Sequence, residues 1–350
     1  MRLICITFAS QKAILMFTTT LLEWFAHNGR DLPWRDTSDP YPIWLSEIIL
    51  QQTRIQQGEE YWHRFLRRWP RVEELAAATE DEVLREWQGL GYYSRARNLL
   101  TAARQIVGLG KFPDTIEGLK SLKGVGDYTA AAIASFAFGR PAAVVDGNVY
   151  RVLARYFGID TPINSTEGKK LFAELAQSLL ATDQPGTYNQ AIMDFGAIQC
   201  TPVSPHCLLC PLQESCEALR SGRVAQLPVK ESKTKIRERR LTYLYLRCKG
   251  QTAIHRRTAG DIWQGLWEPV LLEKPSTDAQ MEQLLDQATL ICKDVKHVLT
   301  HRILLADFYL LETDESPVLP PDYQWINEAD IDQYAIPRLI EILLEKLSKD

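Results

Sequence analysis

The sequence predicts a mostly α N-terminal region followed by a smaller α+β domain, and three observations carry that prediction. Apolar residues recur at three- and four-residue spacing through residues 17–200. After residue 241 the pattern alternates, in Leu241-Thr-Tyr-Leu-Tyr-Leu-Arg247 and in much of Val295 to Leu311, as half-buried strands do. Between these regions lie four cysteines within seventeen residues, then a stretch, 220–240, with eight Lys and Arg against two Asp and Glu. A chain of 350 residues that is 45% hydrophobic has enough apolar material for two or more cores.

Taken in order, residues 1–16 read as an N-terminal extension. Met1-Arg-Leu-Ile-Cys-Ile-Thr-Phe has too short an apolar core for a signal peptide, and Met16 is an equal candidate for the start. Helices are predicted over Tyr41–Gln52, Arg71–Trp87, Arg95–Ile106, Thr129–Phe138, Val149–Tyr156 and Glu167–Leu180, separated by short Gly, Pro and Asp clusters. Residues 17–219 form this helical domain, with the cysteine loop at 200–216, and residues 220–240 form a basic linker. That linker could lie along a phosphate backbone or be a solvated tether; composition leaves both open. Residues 241–350 form the second domain, with helical patterns at Ala279–Ala288 and Pro337–Leu347. Neither a solenoid repeat nor a low-complexity tract is visible.

The net charge of −4 is unevenly distributed: 29 Lys and Arg against 26 Asp and Glu up to residue 240, then 11 against 18. A phosphate-binding surface therefore belongs mainly to the first two-thirds of the chain. No segment reaches the roughly 18 apolar residues of a membrane helix. Cys5, Cys248 and Cys292 are scattered, so a disulfide framework is not expected and a reducing compartment is. The expectation is a cytoplasmic monomer, nucleoid-associated in a bacterial cell, with no membrane partner.

Four groups of residues carry chemistry. In Leu119-x-x-Leu122-x-Gly124-Val-Gly126, two glycines make a tight turn whose N–H groups, with the following helix end, suit a phosphate oxygen. Eighteen residues after Tyr128 comes Asp146, in Val144-Val-Asp-Gly-Asn148, at the start of a predicted helix. An N-cap is its plain role, and a helix N-terminus also favours its ionised form. Glu47, in Tyr41-Pro-Ile-Trp-Leu-Ser-Glu47-Ile-Ile-Leu-Gln-Gln-Thr53, has helix neighbours Ile43, Trp44, Leu50 and Gln51. Among apolar groups its pKa should rise, although spacing alone also fits an exposed acid. Finally, Cys200-x6-Cys207-x2-Cys210-x5-Cys216 can hold zinc or an iron–sulfur cluster, with His206 surplus to the set.

The Gly-x-Gly turn followed by Asp146 resembles the helix-hairpin-helix DNA glycosylase superfamily. In its bifunctional branch, typified by endonuclease III, a Schiff-base Lys occupies the position of Tyr128. A phenol cannot form that adduct, so the resemblance is to the monofunctional adenine DNA glycosylases of the MutY type. The resemblance implies excision of adenine mispaired with 8-oxoguanine or guanine in double-stranded DNA, without strand cleavage. It makes Glu47 the acid that protonates adenine N7 and Asp146 the carboxylate facing the sugar cation, with Tyr128 and Asn148 positioning Asp146 and its water. The cysteine spacing is similar to the family's 4Fe–4S loop. Two plainer alternatives remain: an endonuclease III-like pyrimidine glycosylase/lyase and a non-catalytic iron–sulfur DNA-binding or redox-sensing protein.

By the same resemblance Arg35 lines the adenine pocket, and Gln52-Thr53 with Leu90-Gly-Tyr92 wedge the duplex and touch the opposite base. Considered alone, Leu90 and Tyr92 read as core residues. Trp263-Gln-Gly-Leu-Trp-Glu-Pro269 resembles the strand–loop of a Nudix-related domain that reads 8-oxoguanine, but no Arg-Glu-x-x-Glu-Glu run follows Gly265 to hold a metal for hydrolysis. Leu299-Thr300-His301 stands where many relatives have Phe-Ser-His, which keeps a hydroxyl at Thr300 and loses the Phe.

Overall fold

The structure, a computed structural model, describes residues 11–231, 236–272 and 279–348; residues 1–10 of the extension and 232–235 of the linker lie outside this set. The helices are α1 (Gln11–Asn28), α2 (Pro40–Ile49), α3 (Ile55–Arg68), α4 (Val72–Ala77), α5 (Glu80–Glu86), α6 (Ser94–Leu109), α7 (Ile116–Lys120), α8 (Asp127–Phe138), α9 (Gly147–Phe157), α10 (Thr166–Leu179), α11 (Pro185–Asp194), α12 (Glu217–Arg220), α13 (Ala279–Asp286) and α14 (Arg338–Leu347). By contact the chain divides into residues 1–76 with 101–232 and residues 77–100 with 233–350. Among the described residues no helix is long and apolar enough to cross a membrane.

The first unit is helical. Phe17 and Leu21 of α1, Val149, Val152 and Leu153 of α9, Phe172 and Leu175 of α10, Tyr188 of α11 and Phe195 share one core. Helix α1 passes through Met16, and Ile14 packs against that core. The extended segment before α9 is fixed by a buried amide. Asn189 on α11 accepts from the Val144 N–H at 3.1 Å and donates to Ala142 O at 2.8 Å and Ser135 Oγ at 2.9 Å. Gly186, one turn earlier, lets the backbones close up: a Cβ there would stand 2.9 Å from Ser135 O. This clamp joins α8 to α11 and delivers the chain to Asp146.

The single helix predicted over 71–87 is two. Thr79 accepts the Glu82 N–H while the Glu82 carboxylate accepts the Thr79 N–H, a capping box that starts α5 afresh. Helix α8 begins at Asp127, so Tyr128 lies inside its first turn. Periodicity also missed α1, α3, α7, α11 and α12; α7 and α12 are short and α3 is polar along much of its length, whereas α1, at 18 residues, was simply not read.

In the second unit, β1 (Arg237–Cys248), β2 (Gln251–Arg256), β3 (Trp267–Glu268), β4 (Val270–Leu272), β5 (Thr289–Val298), β6 (Arg302–Thr313) and β7 (Tyr323–Asn327) form one mixed sheet. Its order is β3-β2-β1-β6-β5, with β4 pairing β1 and β7 pairing β2. Strands β1 and β6 run parallel from Arg237↔Arg302 to Cys248↔Thr313. Alternation along β1 sends Leu241, Tyr243 and Tyr245 to the face covered by Leu339, Ile340 and Leu343 of α14, and Leu244 and Leu246 to the other. Residues 237–240, read from composition as the end of the basic linker, are strand, because β6 offers them a full ladder.

Asn189→Ala strips partners from the Val144 N–H and the Ala142 carbonyl. Unfolding in urea should show a loss of about 2 to 3 kcal/mol, the cost of orphaned buried polar groups.

Candidate active site

The Glu47 carboxyl, Tyr128 phenol, Asp146 carboxyl and Asn148 amide line one cavity of about 580 Å³ in the first unit. Each reaches it for a local reason. Helix α2 begins with Asp39 capping the Tyr41 N–H and Pro40 in its first turn, and it buries eight of its ten residues, Glu47 included. The glycine turn before α8 needs Gly124 at φ 80° and ends at the N-cap Gly126, which turns Tyr128 inward. Asp146 caps α9: Oδ1 accepts from the Asn148 and Val149 N–H groups, each at 2.8 Å, and Oδ2 from Asn148 Nδ2 at 2.8 Å.

Burial pushes both carboxyls upward, and they differ in how many donors oppose it. Glu47 is 6% exposed, and burial pushes its pKa up to about 7, with Asp146 pushing the same way and the Tyr128 hydrogen bond and Arg35 opposing. Asp146 has three donors, yet burial still moves its carboxyl upward from the usual value. The helix terminus therefore moderates the effect of burial on Asp146 and does not overcome it. Burial and the two nearby carboxyls hold the Tyr128 phenol well above its ordinary value, so it stays a proton donor.

Arg35 lines the same cavity, in a 3₁₀ turn at Pro33–Arg35. Its guanidinium makes a fork to Asp194, with Nη1 to Oδ2 at 2.9 Å and Nη2 to Oδ1 at 2.8 Å. Arg30 donates to Asp194 from its backbone N–H and its Nε, each at 2.9 Å. Asp194 is fully buried, and its arginine partners hold the carboxyl below the usual range. Arg30, Asp194 and Gln190, an amide lining the cavity, were missed from the sequence. A buried Asp among apolar residues in Ala191-Ile-Met-Asp194-Phe was the available signal. Gln52 and Thr53 also line the cavity, Gln52 with φ 58°.

The cysteines gather at the far end of α9. Cys200, Cys207, Cys210 and Cys216 line one apolar-walled cavity with Val152, Tyr156, Leu212 and Leu219, as does His206. Among the described residues no three His, Cys, Asp or Glu side chains are grouped closely enough for a single metal ion. Four thiols facing one apolar-walled space are a donor set of the kind that holds an iron–sulfur group. Arg155 binds this loop through Cys200 Sγ at 3.4 Å and Thr201 O at 2.7 Å. Arg151, another residue missed from the sequence, spans both sites. It donates to Cys200 O at 2.7 Å and Gly196 O at 2.5 Å, and also to Asn148 Oδ1 at 2.8 Å.

The second unit holds the remaining candidates. Leu90 is buried, whereas Tyr92 is 47% exposed with φ 47°. Tyr92 is therefore not the core residue its pattern suggested. Thr300 and His301 occupy the turn between β5 and β6, and the Tyr92 hydroxyl hydrogen-bonds Thr300 Oγ1. Glu268, just after Gly265-Leu-Trp, is fully buried and accepts from Tyr243, Arg257 and His255.

Comparison with known proteins agrees with this geometry. Residues 45–178 match the HhH-GPD superfamily of base excision DNA repair proteins, and residues 242–346 match the NUDIX domain. Adenine DNA glycosylase of Mus musculus is 33% identical over 91% of this chain and 75% of its own length. The chain belongs to the adenine DNA glycosylase family. That makes it a hydrolytic DNA N-glycosylase. The human adenine DNA glycosylase is 32% identical over 94% of the chain and 73% of its own length. Among solved structures, a thermostable thymine-DNA glycosylase superposes with a TM-score of 0.57 at 32% identity, over 61% of this chain and 99% of its own. An endonuclease III–DNA complex gives 0.53 at 20% identity over 61% of the chain and 98% of its own, a likeness of fold.

The raised Glu47 pKa has a consequence for stability. Its folded value, about 7, lies above the unfolded 4.5, so the native state binds the extra proton and wild-type stability falls as pH rises from 4.5 to 7. Glu47→Gln has no such dependence and should gain on wild type across that window, by on the order of 2 kcal/mol at pH 8, in urea titrations. Gly196→Ala places a Cβ 2.7 Å from the Asn148 Cβ. It should cost about 1 to 3 kcal/mol in the same measurement.

Proposed function

We propose that this enzyme excises adenine mispaired with 8-oxoguanine or guanine and leaves the DNA strand intact. The observation that carries the reading is the convergence of Glu47, Tyr128, Asp146 and Asn148 on one cavity, with the two carboxyls held differently. In this mechanism the protonated fraction of Glu47, substantial near neutral pH because its pKa is raised to about 7, gives its proton to adenine N7. The N-glycosidic bond breaks with its electron pair passing to the base, and an oxocarbenium ion forms at the sugar. Asp146, braced by three donors, faces that cation and stabilises it directly or as a transient covalent adduct. Water then adds at the anomeric carbon, and its proton returns to the Glu47 carboxylate. Tyr128 donates to Glu47 and lacks an amine, so no Schiff base forms and the strand is not cut. Asn148 orients Asp146, and Arg35, fixed by Asp194, borders the base.

In the same reading Cys200, Cys207, Cys210 and Cys216 hold one 4Fe–4S cluster. Bound there, it would tie the four cysteine positions of the 200–216 loop to one another beside the end of α9, to which Arg151 and Arg155 bond that loop. Gly124 and Gly126 grip a DNA phosphate, Gln52, Thr53, Leu90 and Tyr92 act on the opened duplex, and Thr300 with His301 reads the opposite base. Purified protein should contain four iron and four sulfide per chain; stoichiometric zinc would contradict this assignment.

Duplexes carrying adenine opposite 8-oxoguanine, guanine or thymine, together with thymine–guanine and thymine-glycol duplexes, test the activity. Base release is scored separately from strand breaks. Adenine release without breaks is expected, with Asp146→Asn and Glu47→Gln each slowing it by at least about a thousandfold while binding persists. Thr300→Ala should erase the preference for 8-oxoguanine over guanine. Borohydride-trapped lyase activity on thymine glycol would replace the reading with the endonuclease III-like one, and duplex binding without base release would leave a non-catalytic sensor.

A further inference from the structure

The turn between α5 and α6 is held in an unfavourable conformation by bonds from two sources. Gly89, Gly91 and Tyr92 have φ of 95°, 68° and 47°, and at Tyr92 a side chain bears the left-handed cost. Part of the support is local. Trp87 Nε1 donates to Gly91 O at 3.0 Å, and Arg95 Nη2 donates to Leu90 O at 3.2 Å and Gly91 O at 3.3 Å. Arg95 also lies over the Trp87 and Tyr92 rings, at 5.0 Å and 5.7 Å.

The rest comes from the C-terminal part of the same unit. Before the turn, Gln88 Nε2 donates to Glu341 Oε1 at 2.5 Å, and Gln88 Oε1 accepts from the Ile336 N–H at 3.4 Å. At its tip, Tyr92 meets Thr300. After it, Arg97 Nη1 donates to Gln264 O at 2.5 Å. Further back, Arg256 pairs with Glu80 at 3.0 Å and Asp81 at 2.9 Å. Gly265 approaches closely enough that a Cβ there would stand 3.0 Å from Glu80 Oε1 and 3.1 Å from Leu84 Cδ1.

A recognition module needs only the contact at Thr300, whereas the clamps at Gln88 and Arg97 run to Glu341, Ile336 and Gln264, outside the 299–301 loop. We propose that the C-terminal domain also sets the conformation of the 88–93 turn, so that Gln88 and Arg97 are positioning residues for insertion into the duplex. This rests on the proposed function, in which Leu90 and Tyr92 act on the opened duplex. Strained backbone persists only where surrounding contacts over-determine it. Without the outer clamps the turn samples other conformers, the insertion-competent fraction falls, and base extrusion slows in proportion.

An exchange of partners tests this in the full-length protein. Gln88→Glu faces one carboxylate with another, while the double variant Gln88→Glu/Glu341→Gln restores a donor–acceptor pair with the roles reversed. Glu341 also pairs with the exposed Arg338 at 2.8 Å, a contact of little weight. Two rates are read on a duplex with adenine opposite 8-oxoguanine: single-turnover adenine release, and the fluorescence rise of a 2-aminopurine placed beside the adenine as it leaves the stack. Gln88→Glu should slow both by about tenfold, and the double variant should return both to within about twofold of wild type. Arg97→Ala should slow both in the same direction and decides the matter if Gln88→Glu does not fold. Wild-type extrusion in Gln88→Glu or in Arg97→Ala, or no recovery in the double variant, overturns the proposal. A wild-type protein that releases no adenine at all would defeat the functional reading instead.

Discussion

Removing the Glu47 carboxyl from water is the constraint around which the helical unit is arranged. An isolated carboxylate cannot be buried at tolerable cost, so the group holds a proton and sits within reach of a phenol that can donate to it. The neighbouring Asp146 lies close enough to raise it further, and that proximity must itself be supported. Support arrives from three directions. The α9 N-terminus supplies two N–H groups, Asn148 supplies its amide, and the Asn189 clamp fixes the chain that leads in.

The same helix joins this site to the cysteine loop. Its first turn carries Asp146 and Asn148, and Arg151 and Arg155, on later turns, bond the backbone at Cys200 and Thr201. Arg151 is 8% exposed and bonds both Asn148 and Cys200, so the amide that orients the carboxyl and the loop bearing the thiols share one guanidinium. The fork from Arg35 to Asp194 does similar work at the same cavity, where a fully buried carboxylate fixes a cation in its lining.

Much of this was legible in the sequence, and the exceptions have physical causes. Helices α9 and α10 declare themselves by period and α8 by its apolar run, and the Leu241–Arg247 alternation declared β1. The capping box at Thr79 could not be weighed against the periodicity running through it until its two bonds were seen. Glu47, Asp146 and the four cysteines were readable because their local strings are distinctive. Asp194, Arg30 and Arg151 were not, since Asp194 meets Arg30 and Arg35 from 164 and 159 residues away and Arg151 meets Cys200 from 49. Considered alone, Tyr92 reads as core because the pattern carries no sign that its backbone adopts a left-handed conformation; Leu90, two residues earlier, is buried as that reading expects. The ionisation of Asp146 was judged from its helix terminus alone, and burial, invisible in sequence, changed the balance.

The central claim is that Glu47 carries a proton near neutral pH before any substrate arrives. Infrared difference spectroscopy of wild type against Glu47→Gln reads this directly, through the carbonyl stretch of a protonated carboxyl. The account predicts a band present at pH 6 that disappears with a midpoint near 7. A band already lost at the ordinary carboxylic value of about 4.3 would contradict it.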